Sequence, residues 1–409
     1  MLDRMKSAPP AVRPILITCP KGLPPFLQEE VRQLGFPVRA SGEAFVETEG
    51  TLADTPRLNL WLRTGHRVLY RLADFPAAST DELYRQVTQL PWEEYVEPDA
   101  YVRIGAAVHS TACSDDRFAS LKCKDALVDR LRQRCGRRPD TGPEYRGASI
   151  FLFWQGFRCS LYLDTTGESL ARRGYRKIPL AAPMQESLAA ASILATGWAD
   201  DGHFINPMCG SGTLAIEAAL LGLRRAPGLL RRHFSLMSLK GFDARAWAAL
   251  RSAAESGAKP ALAHRIIATD ISPAAVAAAR QNASAAGVES CIDFSVCDFA
   301  ATPIPPGGGV VFLNPEYGER MGAAAELEPL YHRIGDFFKQ QCQGYTGYVF
   351  TGNLELGKRI GLRSSRRIPF FNSTIECRLL AFTVYAGTHR PPRSAADQER
   401  DGGDIGAAR

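Results

Sequence analysis

A glycine-rich segment near the middle of the chain has the residue types of a nucleotide-binding turn. Residues 206–213 read Asn-Pro-Met-Cys-Gly-Ser-Gly-Thr; the apolar run 203–205 before them predicts a strand, and 214–220 after them predicts a helix. Gly210 and Gly212 carry no Cβ, so a ligand can approach the backbone closely, and the following helix N-terminus favours negative charge. A tight structural turn would have the same composition, so this segment alone is not specific.

Two aspartates follow the next two predicted strands. Asp270 follows the strand predicted over 265–269, and Asp298 follows the strand predicted over 294–297. A carboxylate in the first place can accept hydrogen bonds from both hydroxyls of a ribose, and one in the second place from the amine of an adenine. Each alone could cap a helix, but three successive strand ends with this set indicate a nucleoside site. Asp270 lies 60 residues after Gly210, whereas the usual spacing between a glycine-rich turn and the acidic residue that binds the ribose is ~20 residues. The basic stretch 224–260, predicted to be a helical insertion, accounts for the additional residues.

The loop after the fourth predicted strand, 310–313, reads Asn314-Pro315-Glu316-Tyr317. Since the carboxyl ends of the strands in an open sheet line one crevice, we expect this loop to face the nucleoside site. The Asn314 amide oxygen and the peptide carbonyls after it can accept hydrogen bonds from an exocyclic amine, and Tyr317 can stack on a planar base. The alternative is an Asn-Pro turn with an exposed tyrosine.

These strands belong to a region of alternating helices and short apolar strands that begins near residue 183 and predicts a doubly wound, parallel α/β sheet. Further strands are predicted there over 348–351 and 376–385. The first 165 residues predict α+β structure instead, with strands over 14–19, 68–72, 101–108, 150–155 and 157–163 and helices over 25–34, 59–67 and 121–135.

Basic residues are concentrated between these two regions. The whole chain carries a formal net charge of +6, whereas thirteen Lys or Arg against six acids give the window 117–176 a net +7. Arg130, Arg134 and Arg137 follow i, i+4, i+7 spacing on the predicted helix and would share one face. The pattern is compatible with an ordinary solvated helix and with a phosphate-binding surface. On the second hypothesis the RNA-binding residues are Lys122, Arg130, Arg134, Arg137, Arg138, Arg172, Arg173 and Arg176.

Composition excludes several classes of protein. The chain is 45% hydrophobic and 22% charged over 409 residues, which is typical of a globular protein of two or three domains. No apolar run reaches the length of about 18 residues that a membrane span needs, and residues 1–19 do not resemble a secretory signal. The ten cysteines are scattered without metal-ligand spacing. We therefore expect a cytoplasmic protein with reduced thiols, no metal and no membrane partner.

Taken in order, the glycine-rich segment, Asp270, Asp298 and the Asn314–Tyr317 loop resemble class I S-adenosylmethionine-dependent amino-methyltransferases with an Asn-Pro-Pro-Tyr loop. Residues 164–176 (DTTGESLARRGYR) and 182–191 (APMQESLAAA) resemble more narrowly the THUMP-domain methyltransferases that modify guanine N2 in 23S ribosomal RNA. The resemblance implies an α+β module, ferredoxin-like (14–75) plus THUMP (76–165), then an α/β Rossmann-like class I methyltransferase domain (166–386). Residues 387–409 are expected to be a disordered tail.

The resemblance also implies a cofactor, S-adenosyl-L-methionine, and an RNA partner, 23S rRNA or its precursor. Glu186 could support the methionine end of that cofactor. Some relatives carry a second methyltransferase domain, for which we expect no room in this chain; the oligomeric state is left open. The catalytic set is Asn314, Pro315, Glu316 and Tyr317. The cofactor-binding set is Asn206, Met208, Gly210, Gly212, Thr213, Asp270, Ile271, Asp298, Phe299 and Asn314.

This chain departs from the family pattern at two positions. Asn206 stands where the glycine-rich motif usually begins with Asp, so it brings no charge to an ammonium group. Glu316 replaces the second Pro of the loop and places a carboxylate near the target base. Because guanine offers two adjacent donors, N1–H and N2–H, that carboxylate favours guanine over adenine. The alternatives are N6-adenine methylation of RNA or DNA, and a non-catalytic RNA-binding factor in ribosome assembly in which the two departures mark lost catalysis.

Overall fold

Two β-sheets organise the chain. In a computed structural model, residues 11–178, 180, 184–317 and 323–385 are described. The N-terminal part contains β1 (Arg13–Thr18), α1 (Pro24–Gln33), β2 (Ala40–Ser41), β3 (Phe45–Gly50), α2 (Thr55–Trp61), β4 (Arg67–Pro76), α3 (Thr80–Gln89), β5 (Tyr101–His109), α4 (Asp116–Cys135), β6 (Asp140–Thr141), β7 (Ala148–Gln155) and β8 (Arg158–Asp164). The C-terminal part contains α5 (Glu186–Thr196), β9 (His203–Pro207), α6 (Thr213–Gly222), α7 (Ala244–Ser256), β10 (Ile266–Asp270), α8 (Pro273–Ala285), β11 (Ile292–Val296), β12 (Gly309–Leu313), α9 (Ala323–Gln341), β13 (Tyr345–Thr351), α10 (Leu354–Arg359), β14 (Arg366–Asn372) and β15 (Ile375–Thr383).

The first sheet has eight strands in the order β2-β3-β1-β4-β8-β7-β5-β6. β4 pairs antiparallel with β8, so the region expected to be ferredoxin-like and the region expected to be a THUMP domain share one continuous sheet. The strands predicted over 150–155 and 157–163 are confirmed as β7 and β8, which pair antiparallel around Gly156. Within the described residues, no helix is long and apolar enough to cross a membrane.

One predicted helix of this region is wrong. The hydrophobic pattern placed a helix over 59–67, whereas α2 covers Thr55–Trp61 and Arg67 already begins β4. Thr51 and Asp54 form a capping box on a 3₁₀ turn, Leu52–Asp54, that runs directly into α2, and Pro56 occupies the first turn of α2. The helix therefore starts earlier than its apolar residues indicate. Leu62 is extended and ends it.

The second sheet confirms the predicted α/β class. Its order is β11-β10-β9-β12-β13-β15-β14, and the first five of these strands pair in parallel. β15 enters antiparallel between β13 and β14. The basic stretch 224–260 forms two 3₁₀ turns and α7, as the predicted insertion after α6. The predicted tail, 387–409, lies outside the described residues.

A buried ion pair joins the segment after β8 to the second sheet. The Arg173 side chain is 1% exposed and the Glu217 side chain on α6 is fully buried, with Arg173 Nε 3.5 Å from Glu217 Oε1. Arg173 also donates to the carbonyls of Leu170 and Arg63, and the Tyr175 hydroxyl donates to Glu217 Oε1 at 3.1 Å. Burial raises the pKa of Glu217, while Arg173 opposes that rise. Among the charges near Glu217, Arg173 favours the ionised carboxylate most strongly, followed by Arg63.

We predict that Arg173→Met destabilises the protein by about 3–5 kcal/mol at pH 7, because it leaves the Glu217 charge buried without its partner. Losing Arg173 raises the pKa of folded Glu217 further, whereas the unfolded group titrates near ~4.3. The folded variant then binds the extra proton, so its deficit in unfolding free energy should grow as pH rises from about 4 to 7. Urea unfolding at several pH values measures this. Glu217→Gln in the same background should recover stability; a small, pH-independent deficit would contradict the prediction.

Candidate active site at the carboxyl ends of the parallel strands

The glycine-rich loop between β9 and α6 is built from left-handed backbone positions. Met208, Gly210 and Gly212 have φ values of 59°, 55° and 83°. The Cys209 amide donates to the Thr269 carbonyl at 2.8 Å, which ties the loop to β10. Gly210 has open space where a Cβ would lie, so its backbone is accessible to a ligand. Thr213 begins α6, and the loop therefore aims a helix N-terminus at this space.

Asp270 anchors that loop from the end of β10. Its Oδ2 accepts a hydrogen bond from the Gly210 amide and its Oδ1 one from the Ser272 amide, both at 2.9 Å. The capping alternative fails, because the side chain of Ser272 caps α8. The carboxylate keeps lone pairs for further donors. Beside it, Ile271 is 71% exposed and offers an apolar surface next to the loop.

Asp298 and Phe299 follow β11, at the far side of the site from β12. The carboxylate of Asp298 caps a 3₁₀ turn by accepting from the Ala300 amide at 2.9 Å, and it also accepts from Arg333 Nη2 at 2.7 Å. The hydrogen bond from Arg333 holds the pKa of Asp298 below its ordinary value. The Phe299 ring is buried edge-to-face on Phe337. Only the Phe299 backbone can therefore face a ligand, and Arg333 competes with any other donor to Asp298.

Asn206 and Asn314 bring two unpaired acceptors to neighbouring strand ends. Asn206 is fully buried on β9, and its Nδ2 donates to the Phe312 carbonyl of β12 at 2.9 Å. Its Oδ1 and the Oδ1 of Asn314 are buried without a hydrogen-bond partner among the described residues. Leaving a buried acceptor unsatisfied costs about 1–3 kcal/mol. Both oxygens thus fit a ligand that supplies N–H donors.

The loop after β12 is held by two residues that sequence reasoning missed. The Tyr331 hydroxyl on α9 donates to the Glu316 carbonyl at 3.2 Å, and burial raises the pKa of Tyr331 to about 12. Asn372 Nδ2 at the end of β14 donates to the Tyr317 hydroxyl at 2.8 Å. A lone tyrosine in a helix and a lone asparagine after a strand carry no motif that could have indicated them.

Within the same loop, Pro315 is buried and the Glu316 side chain is exposed. No described residue bonds to the Glu316 carboxylate. The hypothesis that this carboxylate faces a base therefore remains a prediction. Residues 318–322 lie outside the described part of the chain.

The eight predicted RNA-binding cations do not form one surface. α4 ends at Cys135, and Gly136 follows it with φ 69°, so the prediction that Arg137 shares the helix face of Arg130 is wrong. Arg130 donates to both carboxylate oxygens of Glu93, at 2.6 and 3.1 Å, and its side chain is 14% exposed. Its charge is therefore already neutralised.

A second correction concerns Arg173 and Arg176, which lie in the linker, the segment 165–178 that follows β8. Arg173 is buried against Glu217, and the Arg176 side chain is 16% exposed, with Nε 3.2 Å from Glu186 Oε1 and Nη2 donating to the Met184 carbonyl. Neither guanidinium can reach a phosphate in this arrangement. Both instead fix the linker to the second sheet, and Glu186 is occupied by that contact.

Five of the eight cations keep exposed side-chain surface: Lys122, Arg134, Arg137, Arg138 and Arg172. Arg134 and Arg138 are exposed; the charge of Arg134 contributes to lowering the pKa of Glu93, and no salt bridge joins either side chain to an acid among the described residues. The others form surface pairs of the kind that contribute little to stability and can exchange for phosphate: Lys122 with Asp81, Arg137 with Asp99, and Arg172 with Glu168.

In the described part of the chain, no group of three or more His, Cys, Asp or Glu could hold a metal ion.

Three family models match successive regions of this chain. Residues 14–69 match the RlmL ferredoxin-like domain, residues 77–164 match the THUMP domain, and residues 173–381 match the RMKL-like methyltransferase domain. Among solved structures, a methyltransferase complexed with S-adenosylhomocysteine is similar with a TM-score of 0.82 and 26% identity, over 92% of this chain and 99% of that one. A Listeria monocytogenes protein named as an N6-adenine-specific DNA methylase has a TM-score of 0.81 and 30% identity, over 91% and 97% of the two chains.

Curated relatives carry names from ribosomal RNA modification. Ribosomal RNA large subunit methyltransferase K/L of Syntrophotalea carbinolica is 37% identical over 90% of this chain and 53% of its own length. An RNA methyltransferase, by name, of Synechocystis is 35% identical over 91% of this chain and 97% of its own. The chain thus spans about half the length of the K/L relatives it matches. On the family models and these identities, the chain belongs to the RMKL-like methyltransferase family, with ferredoxin-like and THUMP domains preceding the methyltransferase domain.

Proposed function

We propose that this chain binds S-adenosylmethionine and methylates the exocyclic N2 of a guanine in large-subunit ribosomal RNA. The observation that carries the proposal is the pair of buried, unpaired oxygens, Asn206 Oδ1 and Asn314 Oδ1, beside the glycine-rich loop that Asp270 anchors. The first oxygen suits the ammonium of an amino-acid group, and the second suits an amine about to react. The names of the relatives supply the RNA class.

The residues around the loop match the parts of this cofactor. Asp270 would accept from the ribose hydroxyls, Ile271 would cover the adenine with apolar surface, and Asn206 would accept from the methionine ammonium. The cofactor supplies a methyl group that its sulfonium already makes electrophilic. The protein therefore contributes mainly position and orientation. A neutral Asn206 holds an ammonium more weakly than an aspartate would, because the hydrogen bond is assisted by one charge instead of two.

The catalytic loop would orient the amine. Its lone pair is delocalised into the base, and acceptors at Asn314 Oδ1 and the Pro315 carbonyl would bind the two N–H groups and direct that lone pair at the methyl carbon. Tyr317, held by Asn372 through its hydroxyl, would stack on the base. The base must leave its helix to enter this crevice, which costs least in looped or single-stranded RNA.

Glu316 supports guanine as the base. Its exposed carboxylate has no partner among the described residues, so it is available to accept N1–H of guanine while Asn314 and the Pro315 carbonyl bind the two N2–H groups. Adenine would present the N1 acceptor to the same carboxylate, and each mispaired polar group costs about 1–3 kcal/mol. N6-adenine methylation is the second candidate, favoured only by the name that the Listeria relative carries.

We predict that Asp270→Ala weakens binding of S-adenosylmethionine by about 1–3 kcal/mol. The variant loses the ribose acceptor and releases the Gly210 amide. Calorimetry on the full chain measures the affinity, with Asp293→Ala as matched control. Asp293 is an exposed aspartate on β11 whose carboxylate pairs with Arg265. Unchanged affinity in Asp270→Ala would remove this residue from the site.

We predict that Arg134→Glu with Arg138→Glu lowers affinity for deproteinised 23S rRNA and flattens its salt dependence, because lost phosphate contacts release fewer counterions. Arg32→Glu with Arg85→Glu, on α1 and α3, reverses the same number of exposed charges and should have a smaller effect. Cofactor affinity should stay at the parental value in both. Equal salt slopes for all three proteins would mean that Arg134 and Arg138 only solvate their surface.

Methyl transfer from labelled S-adenosylmethionine to deproteinised 23S rRNA, followed by digestion and mass spectrometry, tests the proposed function itself. We expect N2-methylguanosine as the main product and a large loss of rate in Asn314→Ala. Glu316→Pro should raise the fraction of N6-methyladenosine if the carboxylate selects guanine. N6-methyladenosine from the parent would overturn the guanine assignment, and no methylated nucleoside would overturn the proposal. A guanine product unaffected by Glu316→Pro would discard only the role of Glu316.

A further inference from the structure

The Asn282 side chain on α8 connects three segments of the chain. It is 1% exposed and uses its full hydrogen-bonding capacity. Oδ1 accepts from the Lys177 and Ile178 amides at 2.8 and 3.1 Å, and Nδ2 donates to the Ile178 and Ser211 carbonyls at 3.2 and 3.1 Å. One amide group thus binds the linker that follows the first sheet and, at the same time, the loop that follows β9.

The contact with Ser211 falls in the centre of the glycine-rich loop, between the two glycines. One helical turn earlier, Ala279 of α8 lies against Gly212, where a Cβ would come within 2.9 Å of the Ala279 Cβ. Ala279 and Asn282 are three residues apart and share one face of α8. This face therefore supports the loop at two neighbouring points, one by close packing and one by a hydrogen bond.

We propose that Asn282 is a positioning residue, which holds the glycine-rich loop in its cofactor-binding geometry by fixing the Ser211 carbonyl to the linker; the inference rests on the proposed function. Small displacements of a ligand-binding loop cost affinity, because its donors must lie within hydrogen-bonding distance of the ligand. Asn282 touches no reacting atom in this role. Its effect is on cofactor binding, through the loop.

Only an amide of this length satisfies all four partners. Aspartate retains acceptors for the Lys177 and Ile178 amides but has no N–H for the Ile178 and Ser211 carbonyls. It therefore removes the loop contact and one linker contact, and keeps the two linker contacts that Oδ1 makes. Leucine has a similar volume and removes all of these contacts. Gln281, the exposed neighbour on α8, provides a matched control as Gln281→Leu.

The test compares Asn282→Asp, Asn282→Leu, Gln281→Leu and the parent as full chains under one set of conditions. We expect Asn282→Asp to raise the Kd and KM for S-adenosylmethionine about tenfold, the scale of one lost hydrogen bond with an unsatisfied buried carbonyl. Its kcat and its KM for RNA should stay close to parental values. Hydrogen exchange at Lys177 and Ile178 should remain slow in Asn282→Asp and become fast in Asn282→Leu. Gln281→Leu should change none of these.

The outcomes separate this inference from the function on which it rests. If the parent binds no S-adenosylmethionine, the proposed function fails and the inference fails with it. If the parent binds and Asn282→Asp binds within twofold of it, only the positioning role is overturned. A purely structural role would lower the unfolding temperature of Asn282→Asp while leaving KM for the cofactor unchanged in the folded protein, and that result would also overturn it.

Discussion

The parallel pairing of β9 with β10 on one side and β12 on the other is the constraint on which the candidate site depends. Asn206 lies opposite Ala268 of β10, and Ile205 lies opposite Val311 of β12. Because parallel strands end at the same edge, this register brings residues separated by more than 100 positions in sequence to one crevice. Two hydrogen bonds then fix the edge: Asp270 to the glycine-rich loop, and Asn206 to the end of β12.

The linker between the two sheets is bound by ion pairs to two helices of the C-terminal part. Arg173 and Arg176 bury their charges against Glu217 of α6 and Glu186 of α5. A buried ion pair is expensive to break and gives modest net stability, so such pairs specify position more than they add free energy. Since α6 begins at the glycine-rich loop, the linker and the candidate cofactor site share one rigid support. These contacts tie the segment after the first sheet to the elements that carry the candidate cofactor site.

Sequence reasoning recovered the parts of the molecule that follow from periodicity and strand ends. Buried parallel strands are continuous apolar runs, and the polar residues after them mark the crevice, so the five parallel strands and the Asp270 position were predictable. β14 was not predicted because Pro369 interrupts its apolar pattern, and Pro is tolerated there only because β14 is an edge strand. The start of α2 follows from the capped 3₁₀ turn before it and from Pro56 in its first turn, which a hydrophobic pattern does not report.

Charge was the least predictable property. Helical spacing put Arg130 on a basic face, but the fold brings Glu93, 37 residues away in sequence, beside it and pairs the two charges. Arginine is a residue type that is usually exposed to solvent, yet the Arg173 side chain is among the largest fully buried ones. Tyr331 and Asn372, which hold the loop after β12, come from elements that follow it in the chain. Tertiary partners of this kind are invisible to spacing arguments, because the pairing is decided by the sheet order.

A crystal structure of the full chain with S-adenosylhomocysteine bound tests the central claim most directly. The account predicts the ligand in the crevice at the carboxyl ends of β10, β9 and β12, with its ribose hydroxyls on Asp270 and its amino group within hydrogen-bonding distance of Asn206 Oδ1. Ligand bound at another place on the chain would contradict the account. So would a structure at saturating ligand concentration in which Asn206 Oδ1 remained without a donor and this crevice held no ligand.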